Sequence, residues 1–320
     1  MSLEIVGPGL STTVQDDGRF GHYHIGMPPS GAMDGFSHAV ANYLVGNDET
    51  AATLEMTYNG ADVRFEADTT IAIAGAGMSP ELDGEAIPSW ESVAVEAGQL
   101  LTTSFAENGV RSYLAVAGGV DTEPRMGSRS TYELIGLGGH EGRSLQEGDV
   151  LPIGDADNEV RAGRSVPDAD VPAYDDGKTL RVIMGLCEYR LTEESKAEFL
   201  SAEWTVTPEA DRIGCRFDGP DIEFVEREQP FGAGTDPSNV VDVGYPVGSI
   251  QVPEQPIVLT NDAVTGGGYA TIGTVISPDR DLLAQCRTHE SVGFESVSIE
   301  AALEARETHQ QTLERIRDSL

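Results

Sequence analysis

The sequence predicts a mainly β protein with a few short helices and one helix at its C-terminal end. Three observations carry that expectation. Short apolar runs recur at close intervals, 37 glycines and 17 prolines punctuate them, and helical periodicity surfaces in only a few places. Many short strands with few helices argue for barrels rather than alternating βαβ units.

The elements follow in order. Asp34 is placed to cap a helix in which Phe36, Val40, Tyr43 and Leu44 share a face, and Gly46 closes it. Residues 53–58 alternate, with Leu54, Met56 and Tyr58 on one face; Asn59-Gly60 follows, and Val63 and Phe65 return, which predicts a hairpin. TTIAIAGAG (69–77) reads as a buried strand ending in a tight turn, and 92–105 and 109–120 as further strands broken by glycine. The second half restarts with a strand at 179–185, a helix at 193–200 capped by Thr192, and strands at 212–217, 249–252, 256–260 and 270–276. From Ile299, with Ser298 as cap, Leu303, Leu313, Ile316 and Leu320 continue an apolar stripe, and Arg315 and Arg317 suit the negative end of the helix dipole. The Asp-, Pro- and Ala-rich stretch without periodicity divides the chain into a β-rich module at 1–155, a linker at 156–178 and a second module at 179–320.

Charge is the unusual quantity. Asp and Glu total 54 against 20 Lys and Arg, a net charge of −34, and the lysines are only Lys178 and Lys196. The acids are dispersed, so the economical reading is a cytoplasmic protein of a salt-accumulating cell, whose self-repulsion concentrated salt screens. Nucleic acid binding is disfavoured for want of a basic stripe. Cys187, Cys215 and Cys286 lie far apart and form no CxxC, which fits a reducing compartment. The opening MSLEIVGPGL has no signal-peptide character, and no run approaches the roughly 18 apolar residues of a membrane span.

Two polar, glycine-rich stretches stand out as candidate sites: TTVQDDGRFGHYHIGMPPSGAMD (12–34) and GSRSTYELIGLGGHEGR (127–143). Glycine lets a ligand approach the main chain, and ordered polar loops on a rigid scaffold are where chemistry concentrates. Gln15, Asp16, Asp17 and Arg19 share one turn-forming run, while Ser30 and Asp34 stand before a helix N-terminus, where they either cap it or help hold a carboxylate. Arg111, Arg129 and Arg143 are conspicuous in so acidic a chain, as carboxylate clamps or as partners of the abundant acids. Asp262, Thr265, Gly267 and Tyr269 lie in a third glycine-rich polar loop at a strand end. His22, His24 and His38 lack metal-ligand spacing, so no metal is expected. Neither a P-loop nor a GxSxG elbow is present.

Taken in order, TTVQDDGRFG (12–21), PPSGAMD (28–34), ANYLVGN (41–47), YLAVAGGV (113–120), GSRSTY (127–132), GLGGHEGR (136–143), DRIGCRFDGP (211–220), GSIQVP (248–253), QPIVL (255–259) and TGGGY (265–269) resemble the biotin-dependent carboxyltransferase-like family. Its members are also described as allophanate hydrolase subunit 2, KipA and the C subunit of 5-oxoprolinase. The resemblance implies cyclophilin-like β-barrel modules and work in a complex. It implies a KipI-like partner (the B subunit of 5-oxoprolinase) and, in some members, a LamB-like third component, converting 5-oxoproline to glutamate with ATP. The alternatives within the family are carboxyl transfer from carboxybiotin to a urea-like amide, and a non-catalytic KipA-like antagonist of a KipI-type kinase inhibitor. No cofactor is expected on this chain alone; ATP or biotin would belong to a partner. The matching positions for a catalytic cleft are Asp16, Arg19, Ser30, Asp34, Arg129, Thr131 and Arg143, the arginines binding carboxylate and Asp16 or Asp34 orienting or deprotonating. Gln15, Arg111, Gln251, Asp262, Thr265, Gly267 and Tyr269 are the matching candidates for binding a small-molecule substrate. Where members read close to LADRQTTGGYPKI, this chain reads TNDAVTGGGYATI (260–272), with Ala263 and Val264 in place of Arg and Gln and Thr271 in place of Lys. Between IQVP and QPIVL only Glu254 remains where an Asp-Gly pair is usual.

Overall fold

A computed structural model describes residues 1–156, 162–174 and 177–320. Two compact units form: Met1–Arg19, Ser30–Tyr174 and Gln310–Leu320 make the first, and Phe20–Pro29 with Asp175–His309 the second. The expected linker at 156–178 falls in part on 157–161 and 175–176, outside the described residues. Within its described portion Val166 and Tyr174 are buried against the first unit, while most of the residues around them are exposed or half-buried.

The first unit contains β1 (Ser2–Gly7), β2 (Ser11–Gln15), α1 (Gly35–Leu44), β3 (Thr53–Thr57), β4 (Asp62–Phe65), β5 (Thr69–Gly75), β6 (Glu81–Leu82), β7 (Glu85–Ala86), β8 (Ser92–Val95), β9 (Leu100–Thr102), β10 (Arg111–Val116) and β11 (Val150–Pro152). They build a six-stranded sheet, β11-β1-β4-β9-β6-β7, and a five-stranded sheet, β2-β3-β10-β5-β8. One core takes Leu3, Ile5, Val63 and Phe65 from the first sheet and Leu54, Met56, Ile71, Ile73 and Leu114 from the second. The alternate residues of the central strands, Ala72, Ala74, Tyr113 and Ala115, join a second core with Phe36, Val40 and Leu44 of α1. Burial on both faces explains why β5 and β10 read as continuous apolar runs, and alanines beneath the helix let it approach closely.

The expected hairpin at Asn59-Gly60 is not formed. β3 pairs with β2 and β10, whereas β4 pairs with β1 and β9 in the other sheet. Tyr58 takes a left-handed backbone at φ 59°, and the chain turns a corner between the sheets. The alternation is real, but its two apolar faces meet across a core instead of lying side by side.

The second unit contains β12 (Lys178–Met184), α2 (Glu193–Ser201), β13 (Trp204–Val206), β14 (Gly214–Asp218), β15 (Asn239–Gly244), β16 (Ser249–Gln251), β17 (Ile257–Leu259), β18 (Gly266–Tyr269), β19 (Thr271–Val275), α3 (Asp279–Ala284) and β20 (Ser291–Ser296), followed by α4 (Ile299–Ser319), whose last residues belong to the first unit. Seven strands close a barrel in the order β12-β19-β16-β17-β14-β13-β20, sealed by the parallel pairing of β12 with β20. Closure leaves the barrel no exposed strand edge. Leu180, Val182, Ile250, Val258 and Ile272 fill it, with Phe294 stacked on Phe199 at 4.7 Å and edge-on to Phe217 at 5.4 Å. Caps fall where the sequence places them: Thr192 Oγ1 accepts from Ser195 N at 3.1 Å, and Ser298 Oγ from Ala301 N at 3.2 Å. The glycine-rich stretch at 261–269 is not a plain turn. Its second half is β18, which pairs with β15 in a separate two-stranded ribbon. Among the described residues no helix is long and apolar enough to cross a membrane.

Candidate functional site

Residues 12–19 of the first conspicuous stretch meet the second stretch within the first unit, whereas residues 20–29 belong to the second unit. β2 ends at Gln15, and the turn that follows buries the Asp16 carboxylate. Its Oδ1 accepts from Ser128 Oγ at 2.6 Å, from Gly18 N at 3.0 Å and from Ser130 Oγ, and its Oδ2 from the backbone N–H of Arg129. Arg19, 1% exposed, donates from Nε to Arg125 O at 3.0 Å and from Nη2 to Ser130 O at 2.8 Å. Gln15 Nε2 donates to Thr13 Oγ1 at 3.0 Å and Thr131 O at 3.2 Å, and Thr131 Oγ1 donates to Val14 O at 3.0 Å. Gln15, Asp16, Arg19 and Thr131 thus form one buried brace that holds the loop after β2 against residues 125–131. Charge-assisted bonds of this kind are the strong ones.

A second network surrounds the start of α1. Asp34 caps the helix, its Oδ1 accepting from Ser37 N at 2.9 Å, and its Oδ2 accepts from Ser37 Oγ at 2.7 Å and Tyr174 Oη at 3.2 Å. Its backbone N–H donates to Tyr113 Oη at 2.8 Å, and that hydroxyl donates to Glu55 Oε2, also at 2.8 Å. Glu55 Oε2 accepts from Met33 N at 2.8 Å as well, and Arg111 Nε stands 3.8 Å from Glu55 Oε1. Burial, then the Glu55 and Asp34 carboxylates, push the Tyr113 hydroxyl well above its ordinary range; burial pushes buried His38, edge-on to the Tyr113 ring, below its own. Tyr113 therefore remains a donor and His38 neutral at neutral pH.

The remaining candidates are placed differently. Ser30 is buried with a left-handed backbone at φ 53°, and its hydroxyl has no partner among the described residues. Arg129 is partly exposed, with Nη2 donating to Asp121 Oδ1 at 2.6 Å. Arg143 donates to both oxygens of Asp149, at 2.7 and 3.0 Å, and to Glu141 at 2.9 Å; the Asp149 carboxyl is held down at about 2, chiefly by that bond. Among the described residues no group of three or more His, Cys, Asp or Glu is placed to hold a metal; His22 precedes a short helical turn and His24 lies within it.

In the second unit, Gln251 and Thr271 are buried cross-strand neighbours of β16 and β19. The Gln251 amide lies beside the Tyr245 hydroxyl, and Thr271 Oγ1 has no partner among the described residues. Thr271 is 0% exposed, so the strand pair buries a neutral hydroxyl here. Tyr245 Oη accepts from Tyr269 N at 2.7 Å, Thr265 O accepts from Tyr245 N at 2.9 Å, and Gly267 lies against the Tyr245 ring, where a Cβ would come within 3.0 Å of Cε2. Asp262 is buried and accepts from Arg212 Nε at 2.7 Å. Ala263 completes a small apolar cluster with Tyr245 and Leu259, and Val264 is exposed. Tyr269 and Glu254 line an open cleft of 420 Å³ with Arg216, Asp236 and Asn239.

Glu55, Tyr113, Ser37 and Tyr174 were not anticipated as part of a site. Glu55 interrupts an apolar strand, which is a signal, but strict alternation assigns it to a solvent-facing side that does not exist in a strand buried on both faces.

Comparison with known proteins agrees with this architecture. The model of the carboxyltransferase domain, subdomain A and B, matches residues 25–296. The chain is 37% identical over 316 residues to the C subunit of 5-oxoprolinase from Escherichia coli (strain K12), covering 98% of this chain and 97% of that one. It is 33% identical to urea amidolyase of Saccharomyces cerevisiae over 96% of its own length but only 17% of that protein. The crystal structure of the Kluyveromyces lactis urea amidolyase superposes with a TM-score of 0.93 at 30% identity, over 98% of this chain and 20% of that one.

Proposed function

Since the chain belongs to the carboxyltransferase-domain family, subdomains A and B together, we propose that it is the counterpart of the C subunit in a heteromeric, ATP-dependent 5-oxoprolinase that opens 5-oxoproline to glutamate. One observation carries the reading: the correspondence with a C subunit of 5-oxoprolinase runs end to end on both chains, at 98% and 97%, whereas the urea amidolyase likeness occupies 17% of a much longer protein. The chain then works with a KipI-like and a LamB-like component, with ATP on a partner. On this reading the Asp16 and Asp34 networks hold their loops rigid, the arginines of 125–143 receive carboxylate, and Asp16 orients the loop that presents Arg129.

Carboxyl transfer to a urea-like amide is the second reading, favoured by the TM-score of 0.93 with urea amidolyase. On either reading, Thr271, Ala263 and Val264 stand where the family pattern carries cationic and polar side chains. A purified complex with the KipI-like and LamB-like partners, assayed in molar salt, separates the two. ATP-dependent glutamate release from 5-oxoproline is the expected result; carboxylation of urea from carboxybiotin, without glutamate release, would overturn it in favour of the second. Binding of a KipI-like protein with neither reaction would indicate an antagonist.

A further inference from the structure

The open cleft of 420 Å³ lies wholly within the second unit, and its charged side chains are largely uncommitted. Arg216 and Asp218 are two apart on β14, so both stand on the outer face of the barrel, while Phe217 between them fills the core. β14 pairs with β17, Arg216 lying opposite Ile257, and Phe217 N donates to Pro256 O at 3.0 Å. That pairing brings the turn carrying Glu254 alongside β14, and Tyr269, 44% exposed at the end of β18, joins the lining. Among the described residues the exposed side chains of Arg216, Asp218 and Glu254 form no hydrogen bond or ion pair, and neither does the Tyr269 hydroxyl. Asp236 of the same lining is engaged, its Oδ1 accepting from Ser238 N at 2.8 Å and from Ser238 Oγ at 2.7 Å.

This set suits neither a simple anion nor a simple cation. Carboxylates of Glu209, Asp218, Asp236 and Glu254 surround one guanidinium, which among the described residues is the sole basic group of the lining. An anion placed on Arg216 meets four like charges, and a cation placed among the carboxylates leaves Arg216 unmatched and is repelled by it. A molecule with a carboxylate and an ammonium on one carbon satisfies both sides. The guanidinium fork takes the carboxylate, and the free carboxylates take the ammonium. Pro253, Pro256 and Ile257 add apolar surface, and the volume falls at the small end of the range for small-molecule clefts.

We propose that this cleft binds a free α-amino acid as its zwitterion, with Arg216 receiving the carboxylate, Asp218 and Glu254 the ammonium, and the proline and Tyr269 surfaces an apolar side chain. The site is independent of the 5-oxoprolinase reading, because its test measures occupancy and not turnover.

The test uses the full chain in molar potassium chloride and L-leucine as the probe, read by saturation transfer from the protein to the leucine methyl resonances. Saturable transfer is expected. L-Leucinamide, which lacks the carboxylate, and 4-methylpentanoate, which lacks the ammonium, should each bind at least about fivefold more weakly. Arg216→Gln, and Asp218→Asn combined with Glu254→Gln, should each weaken leucine binding by about fivefold or more. Neither variant removes a bond that holds the barrel. Arg64→Gln, at an exposed pair with Glu4 in the first unit, should change nothing. Absence of saturable transfer would overturn the proposal, as would leucine binding that both cleft variants leave unchanged. Equal binding of 4-methylpentanoate would reduce the cleft to a carboxylate site, and equal binding of leucinamide to an acidic surface; either result overturns the zwitterion assignment.

Discussion

Tyr113 serves two partners with one oxygen, accepting from Asp34 N and donating to Glu55, both at 2.8 Å. Tyr113→Phe removes both bonds and strips a donor from a carboxylate that is 1% exposed. The expected loss is about 1–3 kcal/mol, read as a lower denaturant midpoint in molar salt. Two titrating groups act in opposite directions nearby. His38 has its folded pKa lowered from 6.5, so the unfolded chain takes up the proton first; its contribution is full above that value and is lost as pH falls below it. Asp17 is partly shielded and sits beside Asp16, and its carboxyl is raised from 3.8 to about 6. The folded state therefore binds that proton more readily, and stability is lost as pH rises through this window. Asp17→Asn is expected to raise the thermal midpoint at about pH 7.5 and to raise it less at about pH 5. An equal gain at both would show that the carboxyl raised by burial and by Asp16 is not the cause.

At the scale of elements, the loop 136–142 depends on backbone geometry that only glycine supplies. Gly138 has φ 71°, and a Cβ there would lie 2.1 Å from Ser130 O and 2.8 Å from Arg19 Nη2. Gly127 has φ 86° with nothing within 4 Å. Gly127→Ala should cost about 1 kcal/mol of conformational strain, and Gly138→Ala about 2 kcal/mol more because it also displaces the Arg19 brace. Matched denaturation curves check the difference, and equal costs would contradict the packing described here. The same contrast shows what was legible beforehand. Helix caps at Asp34, Thr192 and Ser298 are local chemistry and were readable from the chain. The Asn59-Gly60 turn was visible too, but not that it joins two sheets, because strand partners are chosen by long-range packing. Asp16, Arg19 and Thr131 stood out by composition and do meet, whereas Glu55 and Tyr113 were hidden because burial on both faces erases the alternation that would have exposed them.

For the whole molecule, a net charge of −34 sets the conditions under which any of this is observed. Screening shortens from about 10 Å at 0.1 M salt to about 3 Å at 1 M, so the thermal midpoint should climb across that range, and a flat or falling curve would remove the self-repulsion argument. The chain aligns with the C subunit of a 5-oxoprolinase over 98% of its length, and the proposal that it works in a complex rests on that match. The most direct measurement is a titration of this chain into a fixed amount of the KipI-like and LamB-like partners, following glutamate released from 5-oxoproline and ATP in molar salt. Release that is absent without the chain, rises with it and saturates at a fixed stoichiometry is the expected result. Glutamate release by the two partners by themselves, unchanged by any amount of the chain, would contradict it.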